Sequence, residues 1–100
     1  MPSISVQDFA NHFHDDAVVI LDTRDHSSFA EYHLDNAISM PATSVPNRFG
    51  ELSKDKTYFV LSHSGRRSEV LANFLVNKGY NAVHVIGGMR AYRQAFVAVA

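Results

Sequence analysis

Tyr58-Phe59-Val60-Leu61-Ser62-His63-Ser64-Gly65-Arg66-Arg67-Ser68 is the stretch from which the fold can be read. Its first four residues form an unbroken apolar run of aromatic and β-branched character. Such a run suits a strand covered on both faces. Ser62 to Ser68 is then a polar loop containing Gly65. Val70, Leu71, Phe74 and Leu75 recur at helical spacing and predict an apolar helix face. Lys78 falls in the last turn of that helix and Gly79 fits the position just past its end. Ala82-Val83-His84-Val85-Ile86 predicts another strand. From Tyr58 to Ile86 the order is strand, loop, helix, strand. Strands joined in this way lie parallel, with a right-handed crossover. The expected architecture is therefore α/β, an open parallel sheet between helices.

The flanking segments extend the same plan. Ser5 can cap a helix, with Asp8 three residues on, and Val6, Phe9, Ala10 and Phe13 form its stripe. Asp15-Asp16 makes a turn. Ala17 to Leu21 is a second buried strand. Asp25 can cap a short helix through Phe29 and Tyr32, and Ala37 to Met40 is a brief strand ending at Pro41. Phe49 and Leu52 suggest a short irregular helix after Pro46. Gly87-Gly88 opens a last helix through Tyr92 and Phe96. The sum is a mostly parallel sheet of about five strands with helices on both faces, in one domain over residues 1–100.

Composition narrows the function classes. The chain has 100 residues, enough for one core, with 46% hydrophobic and 19% charged residues. Nine basic residues against ten acidic ones leave a net charge of -1, so a basic footprint for nucleic acid is not expected. No apolar run reaches the ~18–20 residues of a membrane span, and the first residues do not resemble a signal peptide. The expectation is a soluble cytoplasmic protein without nucleic-acid or membrane partners. With no cysteine anywhere, disulfides, thiolate zinc sites and thiol nucleophiles are excluded.

Chemistry is expected at the carboxyl ends of the strands, where open parallel sheets gather ligands. Two such segments are polar: Asp22-Thr23-Arg24 and Ser62 to Ser68. A short loop leading into a helix aims backbone N–H groups at one point, and the helix dipole adds partial positive charge. Gly65 permits a conformation that other residues resist. Arg66 and Arg67 add forked donors. His63, Ser64, Gly65, Arg66, Arg67 and Ser68 thus make a candidate anion-binding loop around Ser62. Asp22 and Arg24 are read as loop support, Asp22 being the more buried, with a partner in the adjacent loop. Ser62 and His63 are neighbours and point apart at a strand end, so a hydrolytic Ser–His pair is disfavoured. His63 instead lines the pocket mouth. His12-Phe13-His14-Asp15-Asp16 has metal-ligand residue types but reads as a solvated turn. Gly87-Gly88 lacks the spacing of a dinucleotide fingerprint. No metal or other cofactor is expected.

The run from Tyr58 to Ser68, with Leu71, Leu75, Gly79-Tyr80, Val83 and Gly87-Gly88-Met89-Arg90-Ala91-Tyr92, resembles the C-terminal half of a rhodanese domain. The N-terminal half agrees. Ile20-Leu21-Asp22-Thr23-Arg24 and Phe29 match its Asp-x-Arg strand end, and His33-Leu34, Asn36-Ala37-Ile38 and Met40-Pro41 its His-to-Pro segment. The resemblance implies a rhodanese-like fold and a sulfurtransferase chemistry. A donor such as thiosulfate gives a sulfane sulfur to a loop cysteine, and the persulfide passes it to a thiol or cyanide. It also implies that the six residues from Ser62 to Arg67 are the sulfurtransferase loop length, since phosphate- and arsenate-handling relatives have one residue more. Arg67 joins Ser62 as a candidate catalytic position. Tyr92 stands where the family often has Trp.

The chain departs from the family where the cysteine belongs: Ser62 holds that position. Serine has no accessible anion, needs a general base to act as a nucleophile, and cannot carry a persulfide. The chain as written is expected not to turn over sulfur. Two explanations stay open, a cysteine replaced in an active enzyme, or a native serine in a module that binds without reacting. If active, its partners are a small anionic sulfur donor and a thiol acceptor. If not, it binds a small anion or a protein's acidic group. A phosphatase-like enzyme is a weaker third reading, disfavoured by the short loop.

Overall fold

The computed structural model describes residues 2–12 and 14–97. Phe13, the last member of the first predicted stripe, lies outside the described residues. Five strands form one sheet: β1 (Ser3–Ile4), β2 (Val18–Asp22), β3 (Ala37–Ser39), β4 (Thr57–Leu61) and β5 (Asn81–Val85), in the order β1-β5-β4-β2-β3. Every neighbouring pair is parallel. The helices are α1 (Val6–His12), α2 (His26–Glu31), α3 (Val45–Arg48), α4 (Arg66–Asn77) and α5 (Gly88–Phe96), with 3-10 turns at Ala42–Ser44 and Phe49–Glu51 on either side of α3.

Alternation along the strands builds two cores. Leu21, Tyr58, Val60 and Ala82 face one side, under Val45, Leu52 and the Leu71, Ala72 and Leu75 face of α4. Ile20, Phe59, Leu61 and Val85 face the other, under Val6 and Phe9 of α1 and Met89 and Tyr92 of α5. Phe9 is fully buried and meets Phe59 and Tyr92 edge-on at 5.6 and 5.8 Å between ring centres. Edge-to-face contacts of this kind add to the burial of the rings themselves.

The topology places the site. β2 and β4 are neighbours. From β2 the chain moves outward to β3, and from β4 it moves the other way to β5. The strand order therefore reverses between β2 and β4, and their carboxyl ends frame a crevice.

Several sequence expectations need adjustment. β1 was not foreseen; two residues gain strand geometry only by pairing with β5. The short helix expected after Pro46 instead begins before it, at Val45, with Phe49 in the 3-10 turn that follows, because proline is tolerated in a first turn, where its missing N–H has no partner to lose. Tyr32 lies just past α2, and Asp25 sits at its N-cap position without a side-chain capping bond. Strand ends move by a residue. The polar loop is shorter than expected: α4 already starts at Arg66. Gly65, left-handed at φ 91°, turns the chain into the helix, and polar residues suit a first turn whose N–H groups lack helical acceptors.

Candidate functional site

The site is built first from β4 and α4. Ser62 follows the last residue of β4 and is 4% exposed. Its Oγ accepts the Gly65 N–H at 2.9 Å and donates to Ser68 Oγ at 3.1 Å. Ser68, fully buried in the first turn of α4, also lies 3.1 Å from Gly65 O and 2.9 Å from His84 Nδ1 on β5. A buried chain of polar groups thus runs from Ser62 through Ser68 to His84. Burial pushes the His84 imidazole below its ordinary 6.5, against an opposing pull from Glu69.

The loop is clamped from behind by α5. Met89 N–H donates to Ser62 O at 2.8 Å and Arg90 N–H to His63 O at 2.9 Å. The first amides of one helix thereby hold the carbonyls that precede another. Gly88 makes this approach possible. A Cβ there, already strained at φ 61°, would meet Ser62 O, Gly65 N and His63 O. At Gly65 a Cβ would lie 2.7 Å from Gly87 N, so glycine is required there by space as well as by φ.

With its carbonyls held, the loop keeps its donors. Among the described hydrogen bonds, the backbone N–H groups of Ser64, Arg66 and Arg67 have no protein acceptor. The Arg66 and Arg67 side chains are exposed and form no ion pair among the described residues. Unpartnered amides at a helix start, with two guanidinium groups, have the donor chemistry that suits an anion.

The β2 side of the crevice is closed on itself. Asp22 is fully buried and Arg24 half-buried. Arg24 Nε donates to Asp22 Oδ1 at 3.0 Å, and Nη2 donates to Oδ2 at 2.8 Å and to Tyr32 O at 2.7 Å. Asp22 was expected to reach a partner in the adjacent loop. Its partner is Arg24, two residues along, because a two-residue step past the strand end lets the guanidinium fold back on the carboxylate. Thr23 instead reaches across: its N–H and Oγ1 both donate to Leu61 O, at 2.8 and 2.9 Å.

Between the two sides lies a cavity of about 480 Å³, lined by Thr23, Arg24, Asp25, Ser28, Ser62, His63, Ser64, Arg66 and Arg67. Ser62, His63, Ser64, Arg66, Arg67 and Arg24 therefore converge on one space. Gly65, Ser68 and Asp22 support it from outside the lining. Sequence reasoning missed Thr23, Asp25 and Ser28 as lining residues, and His84 altogether. The signal for His84 was present: a histidine two residues after Ala82 falls on the same buried face of the strand. Elsewhere, His12 Nδ1 lies 3.3 Å from Asp15 Oδ2 on the surface, and no group of three His, Asp or Glu converges among the described residues.

A family model described as Rhodanese-like domain matches residues 5–95. The thiosulfate sulfurtransferase GlpE of Tolumonas auensis is 30% identical over 94 residues, which is 93% of this chain and 89% of that protein. YrkF of Bacillus subtilis is 32% identical over 92 residues, covering 90% of this chain and 50% of YrkF, so the chain spans half the length of that relative. A rhodanese-related protein from Thermoplasma volcanium superposes with a TM-score of 0.91 at 27% identity, over 100% of this chain and 98% of that structure.

Proposed function

Since the chain belongs to the rhodanese-like domain family, we propose that the Ser62 loop is a sulfurtransferase pocket that keeps its anion cradle and has exchanged its nucleophile for a hydroxyl. In this reading the domain binds small sulfur-bearing anions and does not hold sulfur covalently. The observation that carries it is the Gly65 N–H aimed at Ser62 Oγ at 2.9 Å, inside a loop whose remaining donors are free. On a sulfur atom at that place the same N–H stabilises a thiolate or persulfide. On serine it meets a neutral hydroxyl that cannot be ionised near neutral pH.

The missing reaction defines the test. Ser62→Cys supplies a thiolate that attacks the sulfane sulfur of thiosulfate. A new S–S bond forms on residue 62, the donor's S–S bond breaks and sulfite leaves with the electron pair. The expected result is one added sulfur on residue 62 by mass spectrometry, removed by cyanide or a thiol. The unaltered chain stays unmodified. A Ser62→Cys protein that folds and never takes up sulfur overturns this reading of the pocket. The phosphatase-like alternative is checked in the same samples with an aryl phosphate, where no phosphate release is expected.

A further inference from the structure

His84 has no part in the chemistry above, and it is the one titratable group wired to Ser62 from beneath the loop. Ser68 has a single hydroxyl proton and three partners: Ser62 Oγ, Gly65 O and His84 Nδ1. Gly65 O can only accept. A neutral His84 with a bare Nδ1 competes with Gly65 O for the Ser68 proton. A protonated His84 must donate through Nδ1, which leaves the Ser68 proton for Gly65 O or Ser62 Oγ. With His84 protonated, Ser68 donates to Gly65 O and accepts from both His84 and Ser62, so all three contacts are satisfied at once. Protonation thus adds positive charge behind the cradle while every hydrogen bond of the chain is kept. That charge favours a bound anion.

We infer that His84 is a positioning residue that couples anion binding at the Ser62 loop to the uptake of one proton. The inference rests on the anion-cradle reading and adds its regulation by pH. The empty site favours neutral His84, because burial lowers its proton affinity. An anion in the cradle reverses that preference, and by linkage the protonated form binds the anion more tightly. The other groups around the ring are few. Glu69, on α4, acts on His84 and raises its proton affinity. Arg66 and Arg67 lie in the same helical turn as Ser68, and Arg90 lies in the α5 turn that holds the loop. The register partners of His84, Ser3 on β1 and Val60 on β4, do not titrate.

Sulfate is the probe, because it stays fully ionised between about pH 5 and 8, where histidine titrates. The His84 ring is followed by NMR with and without sulfate, together with the amides of Ser64, Arg66 and Arg67. The expected result is a His84 pKa raised by about one unit on binding, with affinity about tenfold tighter in all once the ring is protonated than when it is neutral. His84→Asn, which keeps a hydrogen-bonding group near Ser68 and cannot titrate, still binds sulfate but loses this pH dependence. His12→Gln, at an exposed histidine paired with Asp15 on the surface, keeps it. Sulfate that shifts the loop amides without moving the His84 pKa overturns the inference and leaves the cradle standing. Loop amides that never respond, at any pH, overturn the cradle and the inference with it. If His84→Asn fails to fold, the wild-type ring titration decides alone.

Discussion

Two strand ends face each other across one crevice, and they use arginine in opposite ways. At the end of β2, Arg24 is bound by the fully buried Asp22 and by Tyr32 O, with its side chain only 9% exposed. At the end of β4, Arg66 and Arg67 stand in the first turn of α4 with no carboxylate partner among the described ion pairs. The first end is a finished structure. The second is an unfinished one, with a charge pattern that a ligand would complete. Position along the sheet does not separate them. What separates them is whether a carboxylate lies two residues back along the chain.

The largest effect should come from breaking the finished side. Asp22→Ala leaves the buried Arg24 guanidinium with Tyr32 O but without its carboxylate, which costs about 3–5 kcal/mol, read from urea unfolding. Arg66→Ala and Arg67→Ala should stay within about 0.5 kcal/mol of the parent in the same measurement, as exposed changes do. Equal losses at all three would erase the distinction. Next in size is Gly88→Ala, which pushes a methyl group into the loop backbone behind Ser62. It should destabilise by roughly 1–3 kcal/mol and scatter the loop amide resonances. The β2 end should keep its resonances.

The unfinished side is sharpened by binding rather than by stability. Arg67→Ala should weaken sulfate by about tenfold or more, the scale of a lost charge-assisted hydrogen bond, measured by calorimetric titration. The smallest effect concerns the pH dependence of stability. His84 is held below its ordinary value in the folded chain, so the folded state resists its protonation. The stability it contributes is present above about pH 6.5 and is lost as pH falls toward the folded pKa. His84→Asn should flatten the urea midpoint between about pH 5 and 7. Glu69→Gln removes the opposing pull, so the wild-type decline should begin at the same pH, run on to lower pH and become deeper.

Much of this was legible in the sequence. Buried strands announced themselves as unbroken apolar runs, and Gly79 marked the end of α4 with φ 93°. The Ser5 cap is seen in the Asp8 N–H bond to its Oγ at 3.1 Å. What escaped had no local cause. β1 exists only because β5 accepts it. The start of α4 at Arg66 depends on the turn at Gly65, where the Gly87 backbone, distant in sequence, leaves no room for a Cβ. Asp22 and Arg24 were read together, yet their mutual bond was assigned elsewhere, since spacing alone cannot say which way a guanidinium folds. His84 looked like one polar residue in an apolar strand. Its meaning came from Ser68, sixteen positions earlier.

His84 also sits at the junction that closes the sheet. Ser3 is its register partner, and its backbone N–H donates to Pro2 O at 3.2 Å. The edge strand nearest the start of the described chain is therefore paired with the last strand in the sequence, and the loop at Ser62 is held by the turn that follows it at Gly88. Contacts so far apart in sequence raise the relative contact order, and folding slows as such contacts come to dominate. A nascent chain halted before Gly88 would carry the loop sequence without a shape able to recognise an anion.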